Sequence, residues 1–424
     1  MNSDHILVTT ISVWNQESGA NTFAALFETF DPECLANVYI SDSLPDSKVC
    51  SRYFCINEMA VVKSVVGRWI QTGQEVSADG AKDYHLDISP KKLVKRRRVF
   101  LWARELAWKM GNWKSKELMD FLDDFHPEVL VFPIESYPYF NRLNLFIISY
   151  CRPKKVIGYL WDDNFTFKQR PYDWVFKVER FFLRRQVRRL VCQCTDVLAI
   201  SPKMKEECDR EFGVDSVVLT KPITVQGTFT EFKVGTPIRI LYTGKLIIGR
   251  LQTVAEVAAA IREINKDGQQ RVKLDVYTQT ELEEAQRGLI EIPGSCVLHA
   301  AVPQSEVLRL QKEADVLLFA ESLSDCDLTA RLSFSTKLTD YFSAGKCVWG
   351  VGNADLGPID YIRSENAGFV SSNVEEIKSV LNEMVSDSSR IIHKARQGYE
   401  CGVRNHNKDK VINTLKTIIY SPVD

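Results

Sequence analysis

Short β-branched apolar runs alternate along this chain with longer amphipathic stretches. The clearest runs lie at 6–10, 129–132, 156–160, 197–200, 238–242, 273–277, 316–319 and 347–351. A strand that is apolar throughout must be covered on both faces, and helices between such strands supply that cover in a parallel sheet. The alternation breaks once. After 217–220 come Lys221-Pro222-Ile223 and a polar stretch ending at Pro237, and a fresh strand begins at Ile238. The pattern predicts an α/β chain of two doubly wound, Rossmann-like halves facing a central cleft. Its expected domains are 1–225, with a mainly helical insertion at 57–122, and 236–400. A surface loop is expected at 72–80. A C-terminal helix within 401–424 is expected to pack back on the first half. Ligands of such sheets sit at the carboxyl ends of the strands.

Composition adds little to this picture and removes several classes. The chain has 424 residues, 45% of them hydrophobic and 26% charged, which excludes disordered and collagenous chains. Lys+Arg is 54 against Asp+Glu 55, so no global field for nucleic acid exists. The charge is uneven, however: 91–117 holds ten basic and two acidic residues, and 168–191 holds eight and two. Lys95-Arg96-Arg97-Arg98 stands near Trp102, Trp108 and Trp113, a combination that suits an anionic headgroup or a phosphorylated acceptor, although most cationic helix faces are simply solvated. The start of the chain has no basic and apolar leader, and no apolar run reaches the ~18 residues of a spanning helix. Eleven irregularly spaced cysteines and six scattered histidines make no metal pattern. The expectation is a cytoplasmic protein with reduced thiols, no metal and no cofactor.

Four segments carry candidate chemistry. In the first, Ser335-Thr336-Lys337 opens a helix that Gly345 ends. A helix N-terminus suits a phosphate, and Lys337 in the first turn opposes the macrodipole unless an anion is present. Asp340, one turn on, can accept from sugar hydroxyls. A capped surface helix with one lysine has the same pattern. In the second, the strand ending at Gly244 is followed by Lys245 and Arg250, two cations able to clamp a diphosphate. The third is a polar loop with Ser18 and Gly19 after the first strand. It lacks the GxGxxG spacing, so it supports no dinucleotide fingerprint. In the fourth, Asp162 and Asp163 follow a buried strand beside Trp161, and either can orient an acceptor hydroxyl or act as a base. Asp is equally a turn residue.

Together these segments resemble the retaining, family-4-type glycosyltransferases of the GT-B fold, in their bacterial polysaccharide branch. His126-Pro-Glu-Val-Leu-Val-Phe132 is similar to that family's mid-domain strand, and Trp161-Asp162-Asp163 falls where the family has a polar pair. Leu198-Ala-Ile-Ser-Pro202 is similar to the segment closing the first half. Gly244, Lys245 and Arg250 match the basic pair on the donor diphosphate. Asp340-Tyr-Phe-Ser-Ala-Gly345 matches the end of the family's Glu-x7-Glu motif. The resemblance implies a donor nucleoside-diphosphate sugar, UDP- or GDP-linked, held by the second half through Ser335, Thr336, Lys337, Lys245 and Arg250, with Asp340 on the ribose. It implies an acceptor, glycan, lipid-linked or protein, against Asp162 or Asp163, with the Ser18–Gly19 loop facing the cleft. Transfer would be front-face, with retention and without a metal. One departure is plain: Leu332 stands where the first Glu belongs. Glu321, Asp325 or Asp327 on the preceding loop is then the candidate replacement. The same departure motivates a non-catalytic partner subunit as an alternative, and a nucleotide-sugar epimerase is a third reading.

Overall fold

The computed structural model describes residues 4–14, 22–41, 43–67, 69–76, 98–169, 173–225 and 227–422. Two sheets organise them. The first holds β1 (Ile6–Thr10), β2 (Leu35–Tyr39), β3 (Arg52–Ile56), β4 (Gly73–Val76), β5 (Val129–Pro133), β6 (Lys155–Leu160), β7 (Asp196–Ala199) and β8 (Val217–Val218), in the order β4-β3-β2-β1-β5-β6-β7-β8. The second holds β9 (Ile238–Thr243), β10 (Val272–Thr278), β11 (Cys296–Ala300), β12 (Val316–Ala320), β13 (Cys347–Val351) and β14 (Phe369–Ser371), in the order β11-β10-β9-β12-β13-β14. Every pairing is parallel except that of β3 with β4. The strand order reverses beside β1 in one sheet and beside β9 in the other, which opens a crevice at the carboxyl end of each.

Why these residues make central strands is visible in their burial. Ile6–Thr10, Val129–Pro133, Val316–Ala320 and Cys347–Val351 are buried at every position, so both faces are covered. The expected loop at 72–80 is corrected in part: Gly73–Val76 is an edge strand, pairing antiparallel with β3 in register Ile56–Gly73. Its alternating Gly-Gln-Glu-Val lacks the apolar run that marks a buried strand. The rest of the described part of 57–122 is mainly helical, and 77–97 lies outside the described residues.

The last helix, Lys408–Tyr420, lies on the first domain. Lys155 Nζ donates to the carbonyl of Ser421 at 2.9 Å, Lys408 pairs with Glu28 at 2.6 Å, and Tyr420 stacks on Phe30. Before it, Ile223 N donates to the carbonyl of His406 at 2.9 Å, so the connection between domains and the returning chain are stitched together. The domains also meet across the cleft. Ser333 Oγ donates to Asp162, Gln169 Nε2 donates to the Thr329 carbonyl at 2.8 Å, and Arg331 pairs with Glu207.

Candidate functional site

The site grows from the loop after β9. Gly244 has φ 151° and Gly249 has φ 72°, values that favour glycine. Each is also a close approach. A Cβ on Gly244 would overlap the Lys337 ammonium, and one on Gly249 would lie 2.5 Å from Ser322 Oγ. The loop is pinned between them by Tyr242 OH, which donates to the Lys245 carbonyl at 2.9 Å. Gly249 then caps the helix Arg250–Ile264 without a side-chain bond.

Arg250 reaches from that helix to Glu321 at the end of β12. Nε–Oε2 is 3.0 Å and Nη2–Oε1 is 2.8 Å, a bidentate pair. Glu321 is buried, and Thr253 Oγ1 donates to its backbone carbonyl at 2.7 Å. Burial works against the Arg250 charge, but the carboxylate more than offsets this and the guanidinium is held above its ordinary value.

Lys337 comes from the helix Thr336–Ser343 and crosses to the end of β9. Its Nζ donates to the Thr243 carbonyl at 2.6 Å and lies 5.2 Å from the Tyr242 ring centroid. Among the described residues it makes no ion pair within 4 Å. Burial, with Arg250 nearby, pushes this ammonium down to about 8, and Glu321 and Asp340 pull the other way. Asp340 pairs with Lys221 of the interdomain connection at 3.1 Å, and burial raises its carboxyl. Ser335 stands at the N-cap with no side-chain hydrogen bond, so it leaves the first-turn N–H groups to other acceptors.

The structure therefore brings Arg250, Glu321, Lys337 and Asp340 together, beside Gly244, Ser335 and Thr336. It does not bring Lys245 in. That side chain is exposed, and only its carbonyl is engaged. Of the three candidate carboxylates, Glu321 alone joins the cluster. Asp325 accepts from Asn353 at 2.6 Å, and Asp327 closes a local turn with Thr329. Leu332 is fully buried in the core. Ser18 and Gly19 lie outside the described residues.

Across the cleft the two aspartates separate. Asp162 faces Ser333 of the second domain, and the surrounding protein raises its carboxyl although the residue surface is exposed. Asp163 turns inward, where it accepts from Thr166 N at 3.0 Å and lies 3.6 Å from the buried Arg180. It shapes the loop and does not line the cleft. Sequence reasoning missed Glu135, two residues past β5. Burial and the neighbouring Asp162 raise its carboxyl to about 7, while Trp161 hydrogen-bonds to it. Its place at the carboxyl end of a central strand was the available signal. Among the described residues no group of three or more His, Cys, Asp or Glu is arranged to hold a metal ion. A concavity of 610 Å³ lined by His5, His126 and Lys154 lies at the opposite, amino end of the first sheet, away from all of these groups.

No family model and no curated protein matches this sequence. Solved structures do. Anabaena HepE in complex with UDP is 9% identical with a TM-score of 0.63, over 97% of this chain and 98% of that one. Sucrose-phosphate synthase from Thermosynechococcus elongatus is 11% identical with a TM-score of 0.61, over 98% of each. These are GT-B glycosyltransferases. The chain has the GT-B fold. S. aureus TarM is a further neighbour at 11% identity and TM-score 0.53. There the match covers 72% of this chain, which spans 57% of TarM. At such identities the likeness is one of fold, so the chemistry must be argued from the side chains.

Proposed function

We propose that the chain is a glycosyltransferase that uses a nucleoside-diphosphate sugar. The observation that carries this is the Lys337 ammonium. It is half-buried at the carboxyl end of β9, bonded to a neutral carbonyl, and shares its crevice with Arg250. Among the described residues no carboxylate lies within ion-pair distance of this partly desolvated cation, and a diphosphate placed there supplies a direct counter-charge. The fold supports the same reading, since the neighbour HepE is named in complex with UDP and with UDP-glucose.

In this reading the diphosphate lies against Lys337, the loop at Gly244 and the open N–H groups after Ser335. Arg250 is oriented by Glu321, and Asp340 accepts from the ribose. As the glycosidic bond breaks, negative charge grows on the leaving phosphate, and these donors stabilise it without reorganising. Glu135 and Asp162 hold the acceptor hydroxyl from the other side. Retention and a UDP or GDP donor are parts of the proposal that rest on the family resemblance.

A thermal-shift panel tests it. UDP- and GDP-sugars are expected to raise the melting temperature, as any ligand bound only by the native state does. The Lys337→Met variant is expected to lose that response. A wild-type protein indifferent to every nucleotide sugar would leave the non-catalytic partner subunit, which the buried Leu332 also motivates. Turnover of the donor without acceptor would mark an epimerase.

A further inference from the structure

Among the described residues, two helices of the first domain expose large apolar side chains. Trp102 Nε1 donates to Glu179 at 2.6 Å and Arg98 pairs with Asp173 at 2.6 Å, which lays the helix Arg98–Met110 beside the helix Trp174–Val191. Along this pair Trp102, Leu106, Trp174, Phe181 and Phe182 are exposed, Trp174 to 75% and Phe182 to 65%. Apolar residues scattered singly on a surface are ordinary, but large aromatic and aliphatic side chains gathered on two neighbouring helices are not. The same two helices carry nine basic residues and two acidic ones, and five of the nine, Arg98, Arg104, Arg180, Arg184 and Arg188, pair with carboxylates of the chain. Lys109, Arg185 and Arg189 are exposed on them. At the end of the first helix a hollow of 400 Å³ is lined by Lys109, Lys114 and Arg142.

We propose that this two-helix face docks on an anionic lipid bilayer. Charge complementarity selects that occupant: aromatic and aliphatic side chains enter the acyl boundary while the interleaved arginines and lysines meet lipid phosphates. A second protein surface would have to neutralise the same cations. No helix among the described residues is long and apolar enough to cross a membrane, so the contact lies on the bilayer and does not span it.

The inner sides of the same two helices reach the acceptor side of the cleft. Arg180, on the second helix, donates to the Asp163 carbonyl at 2.7 Å, directly after Asp162. Arg104, on the first, lies 5.6 Å from the Tyr137 ring, two residues past Glu135. Docking of these helices brings the domain that carries Glu135 and Asp162 to the bilayer, where a lipid-linked acceptor would meet it. This last step rests on the transferase reading; the docking does not.

Sedimentation with lipid vesicles, without nucleotide, tests the docking. Full-length protein is expected to pellet with vesicles holding about one third phosphatidylglycerol and to stay in solution with pure phosphatidylcholine. Binding is expected to weaken about tenfold in high salt, because the attraction is screened. The Phe181→Glu/Phe182→Glu and Arg185→Glu/Arg189→Glu variants are expected to lose the pellet while keeping the wild-type response to nucleotide sugars. Wild-type protein left in solution by the anionic vesicles overturns the proposal. So does equal binding to neutral vesicles. So does a wild-type dimer in light scattering that either variant turns into a monomer, since the face would then cover a second copy of the chain.

Discussion

Arg250 and Glu321 form a two-pronged ion pair at the carboxyl ends of β9 and β12, and the carboxylate is almost wholly buried. The pair makes the guanidinium a fixed donor, aimed before any ligand arrives. It also means that the two residues cannot be judged one at a time. Arg250→Ala strands a buried carboxylate and is expected to cost about 3–5 kcal/mol of stability. The double variant Arg250→Met/Glu321→Leu is expected to recover most of that loss and still bind no nucleotide. Chemical denaturation combined with the thermal-shift response separates the two effects. A double variant as unstable as the single one would contradict the assignment.

Lys337 gives a pH signature. In the proposed reading the anion binds the protonated amine, and burial brings that amine down to about 8. Affinity for a nucleoside diphosphate is therefore expected to be flat below about pH 7 and to fall above pH 8 by up to about tenfold per unit. Titration calorimetry across pH 6.5–9.5 reads this. Lys337→Arg should flatten the curve, because a guanidinium stays charged throughout.

The same lysine is expected to weaken the fold. Its value is lower in the native protein than in the unfolded chain, so the unfolded state binds more protons and stability rises with pH from about 8 to 10.5. At pH 7 the Lys337→Met variant is then expected to be more stable than wild type by about 1–3 kcal/mol, though inactive. A less stable Met variant would place the ammonium among the groups that hold the fold together.

Glu135 and Asp162 are two like charges, and each protonation state depends on the other. With Glu135 raised to about 7, transfer is expected to change across neutral pH as that group ionises. Asp162→Asn removes a negative neighbour, so Glu135 should ionise at lower pH and the profile should move toward acid. Glu135→Gln should remove that limb altogether. Profiles of kcat/KM for the three proteins decide it, and an unmoved limb in Asp162→Asn would uncouple the pair.

The sequence makes the central strands plain and the edges obscure, for one physical reason. β1, β5, β12 and β13 are covered on both faces and must be apolar throughout, whereas β4, a Gly-Gln-Glu-Val edge, has no such duty. The candidate site was half legible. Arg250, Glu321, Lys337 and Asp340 stand at strand or helix ends where chemistry gathers, but the pairing of Arg250 with Glu321, 71 residues away, and of Asp340 with Lys221, 119 away, follows no spacing rule. Side-chain direction was the other missing quantity. Asp162 and Asp163 are neighbours in sequence, yet one meets the cleft and the other is locked by Thr166 and Arg180. Lys245 and Arg250 are five residues apart after β9, yet among the described residues only Arg250 finds a carboxylate.

His406 ties that cleft to acid stability. It is fully buried where the returning chain meets the interdomain connection. Nδ1 lies 2.9 Å from Thr220 Oγ1, Nε2 lies 2.9 Å from Tyr361 OH, and Phe334 stacks on the ring. Burial drives its pKa from 6.5 down to about 3. The unfolded chain takes up a proton that the native one refuses, so stability is present above pH 6.5 and is lost as pH falls toward 3. The slope approaches about 1.4 kcal/mol per unit. His406→Gln can keep one of the two hydrogen bonds and cannot titrate. It is expected to lose about 1–3 kcal/mol at pH 7.5 and to show a shallower acid limb than wild type. Urea unfolding at pH 7.5, 6 and 5 measures both. Parallel limbs for the two proteins would mean that acid acts elsewhere, and converging limbs would place the acid-sensitive joint where the second domain hands the chain back to the first.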